Sequence, residues 1–352
     1  MAQAETSTPE LIERDDTAVP KTEGVLSALL ILLVLLLGAT FRFTGLNWDQ
    51  GTHLHPDERF LTGVATQIQP VSDFFTYLRT SESSLNPYNV GQGFYVYGNF
   101  PMTVTRIVAD WVKSACATLS CSYNYTAYDG VHLLGRALSG LMDLIAILFL
   151  FLIGRRLYNW RVGVLAAFFQ AIAVMPIQQS HFFTMDNWAA SLSTIAVYTA
   201  VRAAGFGEKK DRWQVHWWLL FGLSLGLAAA SRINIAPLAG LAPLAAMLWL
   251  IKQGHTRVRD WFQFNHLDAQ SAFIGVALAA AMSILTFRIA QPYAFADAQI
   301  AREEAIAATG EKPGVVSLAI RSLIGFNPQW RDNMAEIQRL QQPEASLPFA
   351  LQ

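Results

Sequence analysis

The sequence runs to 352 residues, of which 53% are hydrophobic and 14% charged. A chain this apolar is out of place in water, and the membrane is its natural solvent. A net charge of −1 supplies no concentrated basic face to follow the phosphates of a duplex, which excludes a nucleic-acid partner.

In chain order, residues 1–23 mix Thr, Glu, Asp and Pro and read as a disordered cytoplasmic tail. The tail lacks the basic start of a secretory signal, so the apolar run behind it reads as an uncleaved anchor. A bilayer core needs about 20 mostly apolar residues per helix. About seven runs meet that need or approach it, at roughly Gly24–Phe43, Leu133–Ile153, Val162–Gln178, Trp188–Val201, Trp217–Ala230, Ile235–Ile251 and Ala272–Ile289. The expected fold class is therefore an all-α polytopic membrane protein. Its membrane module covers 24–290, includes a large first outer loop at 46–132, and is followed by a non-cytoplasmic segment at 291–352. Positive residues stay on the cytoplasmic side. Arg155, Arg156 and Arg161 follow the second run, Arg202, Lys209, Lys210 and Arg212 the fourth, and Lys252, Arg257 and Arg259 the sixth. That places the amino terminus inside and the long loop outside.

The long loop is too aromatic for a mere connector, with Trp48, Phe74, Phe75, Tyr77, Phe94, Tyr95, Tyr97 and Trp111. Within it, Pro101–Leu119 carries Met102, Ile107, Val108, Trp111, Val112 and Ala115 at helical spacing, the pattern of an amphipathic helix on the membrane surface. Cys116 and Cys121 are the chain's two cysteines, and both a small disulfide loop and two free thiols are open readings. Beyond the last run, Asp297–Thr309 is rich in Ala and Glu and reads as a surface helix.

Candidate functional residues gather on this outer side. Asp57 and Glu58 follow the first span closely, where a carboxylate near low dielectric needs water, a metal or a cation. One of them can act on a substrate hydroxyl while the other holds a ligand, with His53 and His55 nearby as ligands or proton carriers. The plainer alternative is a helix begun by Pro56, with acids favoured in its first turn. Asp186 opens the fourth span, five residues after His181, and is either a site acid or a helix-start residue. Arg232 is a lone cation in a short outward turn. It suits a phosphate, which a guanidinium grips with two bonds, or an ion pair with Asp186 or Glu58. Arg136 reads as snorkelling toward headgroups. Asp143, within the second span, is the one residue that suggests an ion path and a transporter. Nucleotide-binding Gly loops, nucleophile elbows and zinc-protease helices are absent from the sequence.

Several segments carry a family resemblance: His55-Pro56-Asp57-Glu58-Arg59-Phe60, Gln179-Ser180-His181-Phe182 with Thr184 and Asp186, Phe287-Arg288 with Gln291-Pro292-Tyr293-Ala294-Phe295, and Asn327-Pro328-Gln329-Trp330. They resemble the polyprenyl-phosphate-dependent glycosyltransferases of GT-C fold, family 39-like, related to protein O-mannosyltransferases and aminoarabinose transferases. The resemblance implies a GT-C-like membrane module, either truncated relative to longer members or a minimal member, in a bacterial plasma membrane. It implies an inverting transfer from a polyprenyl-phosphate-sugar donor to a hydroxyl acceptor, with Asp57 as general base and Glu58 as the second catalytic acid. Substrate-binding positions would be His55, His181, Asp186, Arg232, Gln291 and Tyr293. A divalent metal ion on Glu58, Asp186 and His181 is the one cofactor it suggests. The competing expectation is a degenerate member serving as a subunit of a membrane protein complex.

Overall fold

A computed structural model describes residues 21–118, 121–207, 213–261 and 267–342. Residues 1–20 of the amino-terminal tail and the basic positions Lys209, Lys210 and Arg212, with the expectations attached to them, lie outside the described residues, whereas residues 21–23, expected as tail, open the first helix.

The described chain is helical, as the apolar runs require. Buried in lipid, a backbone must satisfy its own polar groups, and a helix does so within one segment. Four stretches are long and apolar enough to cross a membrane unaided. They are α1 (Lys21–Phe43), where Thr22–Phe43 qualifies, α5 (Tyr128–Leu157), the continuous stretch Ile233–Gln253 that ends in α10 (Leu241–Gln253), and α12 (Leu267–Ala290). At 30 residues, α5 reaches about 45 Å, the full bilayer with its headgroups. One face of α1 packs Ile31 and Val34 against α5 and α6, and the other is left open, with Val25 and Leu33 each 60% exposed, as a lipid-facing surface demands. The chain is thus an all-α polytopic membrane protein.

Helices stand at the expected span positions, but two differ in kind: the run expected over Ile235–Ile251 begins as a 3-10 helix, Ile233–Gly240, before α10, and another is broken outright. The run expected as a single span over Val162–Gln178 is two helices, α6 (Trp160–Ile172) and α7 (Val174–Ser180), bent by 57°. The cause is Pro176, whose ring conflicts with the carbonyl four residues back, at Ile172, where α6 ends. The carbonyls of Gln170 and Ala171 left near the break accept hydrogen bonds from the Arg42 guanidinium, at 3.0 and 2.8 Å. Arg42 is fully buried and paired with Asp143 at 2.6 Å, and Gln170 Nε2 donates to the other Asp143 oxygen at 3.0 Å. Asp143 is thereby the counter-ion of a brace across a broken helix. That removes the single residue on which a transporter reading rested.

α8 (Asp186–Ala203) and α9 (Val215–Ser231) are shorter and pack against α5 and α12 inside the bundle. Ala196, Ala200, Trp218, Phe221, Ala245 and Ala279 belong to the core that joins α8, α9, α10 and α12. A second core lies under the long first loop, where Leu61, Val64, Ile68, Tyr95, Met102, Phe183 and Tyr293 pack together. The loop is therefore a folded cap. It contains α2 (Pro56–Gln67), α3 (Phe74–Leu78) and α4 (Asn99–Cys116). The expected amphipathic helix is α4, with Trp111 70% exposed, and Cys116 and Cys121 form a disulfide just beyond it. After the short α11 (Val258–Trp261) and α12, the chain forms α13 (Ala298–Thr309), α14 (Val315–Ile324) and α15 (Pro328–Leu340). α13 is the surface helix expected at Asp297–Thr309, with Asp297 as its cap.

Candidate active site

The site forms where the starts of α2 and α8 and the end of α9 meet beneath the loop. Pro56 occupies the first turn of α2 and His55 caps it, Nδ1 accepting the Glu58 N–H at 3.4 Å. That local geometry sends the two adjacent acids in opposite directions.

Asp57 is half-buried and lies close enough to the Tyr97 hydroxyl to perturb it. Burial, reinforced by the Asp57 charge, pushes the Tyr97 hydroxyl well above its usual range, so it stays a proton donor at any ordinary pH. Tyr97 also lies within the fields of Arg232 and Asp186. Those two form an ion pair at 2.8 Å, each side chain about one-third exposed (35% and 37%). Nη2 is the Arg232 nitrogen that meets Asp186, and the Nε is buried with no protein partner. Tyr97 is not among the site candidates the sequence suggests, because nothing local distinguishes it from the other loop aromatics. Its position is set by Gly98, where a Cβ would collide with the carbonyl oxygens of Ala230 and Ser231 at the end of α9. Only a glycine allows the loop to lie that close to Arg232.

Glu58 turns the other way and is completely buried. Its two oxygens accept from Arg136 Nε and Nη2 at 2.8 and 2.6 Å, and Oε1 also accepts the Phe183 N–H at 2.7 Å. Arg136 grips Asp49 at 3.0 and 2.8 Å as well. Burial works to raise the Asp49 carboxyl, yet the hydrogen bonds and charge of Arg136 outweigh it and hold Asp49 down at about 2. Arg136 is thus a fully buried hub joining the loop, α2 and α5. The snorkelling expected of it does not occur, since two carboxylates supply what the headgroups would have.

The histidines are structural neighbours of this hub. His55 packs on Phe182 with ring centroids 4.4 Å apart. His181 places Nδ1 2.8 Å from the Ile177 carbonyl oxygen and Nε2 2.9 Å from that of Thr44. His53 is buried with both ring nitrogens unpartnered, 4.2 Å from the His132 ring, and burial lowers its pKa. Gln291 and Tyr293 are buried locks between α12 and the loop. Gln291 Oε1 accepts from Asn99 N at 2.5 Å, and the Tyr293 hydroxyl meets Ser83 Oγ at 2.8 Å.

Of the expected site residues, the structure brings Asp57, Asp186 and Arg232 together around Tyr97. It assigns Glu58, His55, His181, Gln291 and Tyr293 to the surrounding frame. The suggested metal set is not assembled: Glu58 is saturated by Arg136 and Phe183, Asp186 by Arg232, and His181 faces two carbonyls. Among the described residues, no three His, Cys, Asp or Glu side chains are grouped to hold an ion.

A family model described as dolichyl-phosphate-mannose-protein mannosyltransferase matches residues 130–287. No curated protein matches the chain. The matched stretch contains His181, Asp186 and Arg232 and leaves Asp57 and Tyr97 outside it. The match supports a GT-C glycosyltransferase-like family and, in general terms, membrane glycosyltransferase activity.

Proposed function

We propose that this protein transfers a sugar from a polyprenyl-phosphate donor to a hydroxyl acceptor, with inversion, on the non-cytoplasmic side of a bacterial plasma membrane. The observation that carries the proposal is that Tyr97 lies within the fields of Asp57 on one hand and of the ion-paired Asp186 and Arg232 on the other. The excess of Lys and Arg in the opposite loops supports the placement of that face outside.

In this mechanism Asp57 takes the proton of the acceptor hydroxyl as its oxygen bonds to the anomeric carbon. The bond from that carbon to the phosphate oxygen breaks, and the lipid phosphate leaves with its electron pair. Arg232 stabilises the growing negative charge on that phosphate with its guanidinium charge and the N–H groups not already given to Asp186. Tyr97 holds one Asp57 oxygen by a hydrogen bond and so aims the other at the acceptor. Glu58 acts by position alone, anchoring the first turn of α2 to Arg136.

Binding and chemistry separate in a direct test. With polyprenyl phosphate as the probe, Arg232→Ala is expected to weaken binding while Asp57→Asn retains it and loses transfer. Equal polyprenyl phosphate binding by Arg232→Ala and the wild-type protein would remove Arg232 from the phosphate site.

A further inference from the structure

α14 carries an apolar stripe that nothing in the described structure covers. Val315, Val316, Ile320, Leu323 and Ile324 are 85, 74, 53, 68 and 65% exposed. At 100° per residue they fall within one half of the helix circumference. Leu318 and Ser322, on the other side, are half-buried, and the neighbour there is α13. α13 in turn buries Ala301 and Ala305 and carries Arg302, Glu303 and Glu304, so the helix beside α14 is polar where α14 is apolar. In water, such a stripe on ten residues would be a liability.

The height of α14 relative to the bilayer is fixed by its attachment. α12 ends its span at Ala290, and the short turn Pro292–Ala294 follows directly. The residues after α14 return to that turn. Ala296 N donates to Gly325 O and Asn327 N to Ala294 O, both at 2.9 Å, and Phe326 stacks on Phe295 at 5.3 Å. The carboxyl end of α14 is therefore held at the level where α12 leaves the membrane. α3 marks the same level, for Tyr77 donates to Ile289 O at 2.8 Å and the adjacent Phe74 and Phe75 are 53 and 74% exposed.

We propose that α14 lies in the membrane–water interface, its five-residue stripe among the acyl chains and α13 above it in water. A helix so seated sinks its apolar face about 5–10 Å below the headgroup boundary. The seat also has mechanical consequences. The turn that α14 grips bears Gln291, which holds Asn99, two residues from Tyr97. The bilayer surface thereby braces the roof of the candidate active site. This inference needs only that the chain spans a membrane and does not depend on the transfer chemistry.

Both cysteines are joined in the disulfide, so an introduced cysteine is the sole free thiol. Nitroxide labels at Ile320→Cys and, separately, at Ser317→Cys in the full chain in lipid nanodiscs would be compared for collision with oxygen and with a water-soluble nickel chelate. The expected result is a high oxygen-to-chelate ratio at Ile320 and a low one at Ser317. Equal access of the chelate to both would place the stripe in water and overturn the proposal. Shielding of Ile320 from both reagents would overturn it in favour of a protein contact. Leu323→Cys and Arg321→Cys provide a second pair should either first variant fold poorly.

Discussion

Asp57 and Glu58 are neighbours in sequence with opposite circumstances, and the difference is set by what each meets across the fold. Asp57 meets a phenol near an ion pair, whereas Glu58 meets a buried guanidinium. Asp57→Asn should lower transfer by about 10²–10⁴-fold, the usual worth of a general base, with membrane insertion unchanged by fractionation. Tyr97→Phe removes the hydrogen bond that the proposed mechanism gives Asp57, a bond to a charged group worth about 1.5–3 kcal/mol, and should reduce kcat by roughly 10–100-fold with little change in thermal stability. His53 gives a pH signature. Its folded pKa lies below the ordinary 6.5 because burial favours the neutral ring. Stability is therefore full above pH 6.5 and falls as the solution is acidified below it, since the unfolded chain takes up the proton first. His53 sits at φ 50°, a conformation asparagine tolerates. In His53→Asn, melting curves should lose that part of the acid sensitivity while any contribution from His132 remains.

At the scale of elements, most helices were legible because each apolar run needs no partner to declare itself. Pro56 likewise announced the start of α2, and Asp297–Thr309 announced α13. The break between α6 and α7 was hidden because Pro176 sits inside a continuous apolar run, and the Arg42–Asp143 pair that repairs it joins residues 101 apart. The same distance in sequence concealed the Glu58–Arg136 pair, 78 residues apart, and the role of Tyr97, which depends on Gly98 meeting α9. Gly98→Ala should push the loop off α9 and lower both melting temperature and transfer. If Gly98→Ala left both unchanged, the close approach would carry no weight in assembling the site. Arg136→Ala leaves two buried carboxylates uncompensated, and removing one partner of a buried pair costs about 3–5 kcal/mol. A large fall in the melting temperature of the detergent-solubilised protein is expected, exceeding that of any single exposed ion-pair variant such as Arg79→Ala.

The whole molecule divides its labour between a bundle that holds the membrane and a cap that shapes the site. Leucine-rich α1 shows one face to lipid, α8 and α9 pack among α5, α10 and α12, and the loop has a core of its own. Composition declared the membrane protein at once. The joint between bundle and cap, built from Arg136, Gln291, Tyr293 and Gly98, lies in long-range contacts that a lone sequence does not display. The family match covers part of the bundle with Asp186 and Arg232, and Asp57 comes to them from the cap. Whether that meeting point performs sugar transfer is tested most directly in vesicles bearing the protein. A panel of polyprenyl-phosphate sugars radiolabelled in the sugar would serve as donors, hydroxyl acceptors would be supplied, and wild type would be compared with Asp57→Asn at equal membrane abundance. Release of label from the donor by the wild-type protein, and its loss in Asp57→Asn, is the predicted result; equal release by both would contradict the assignment of Asp57 as the base.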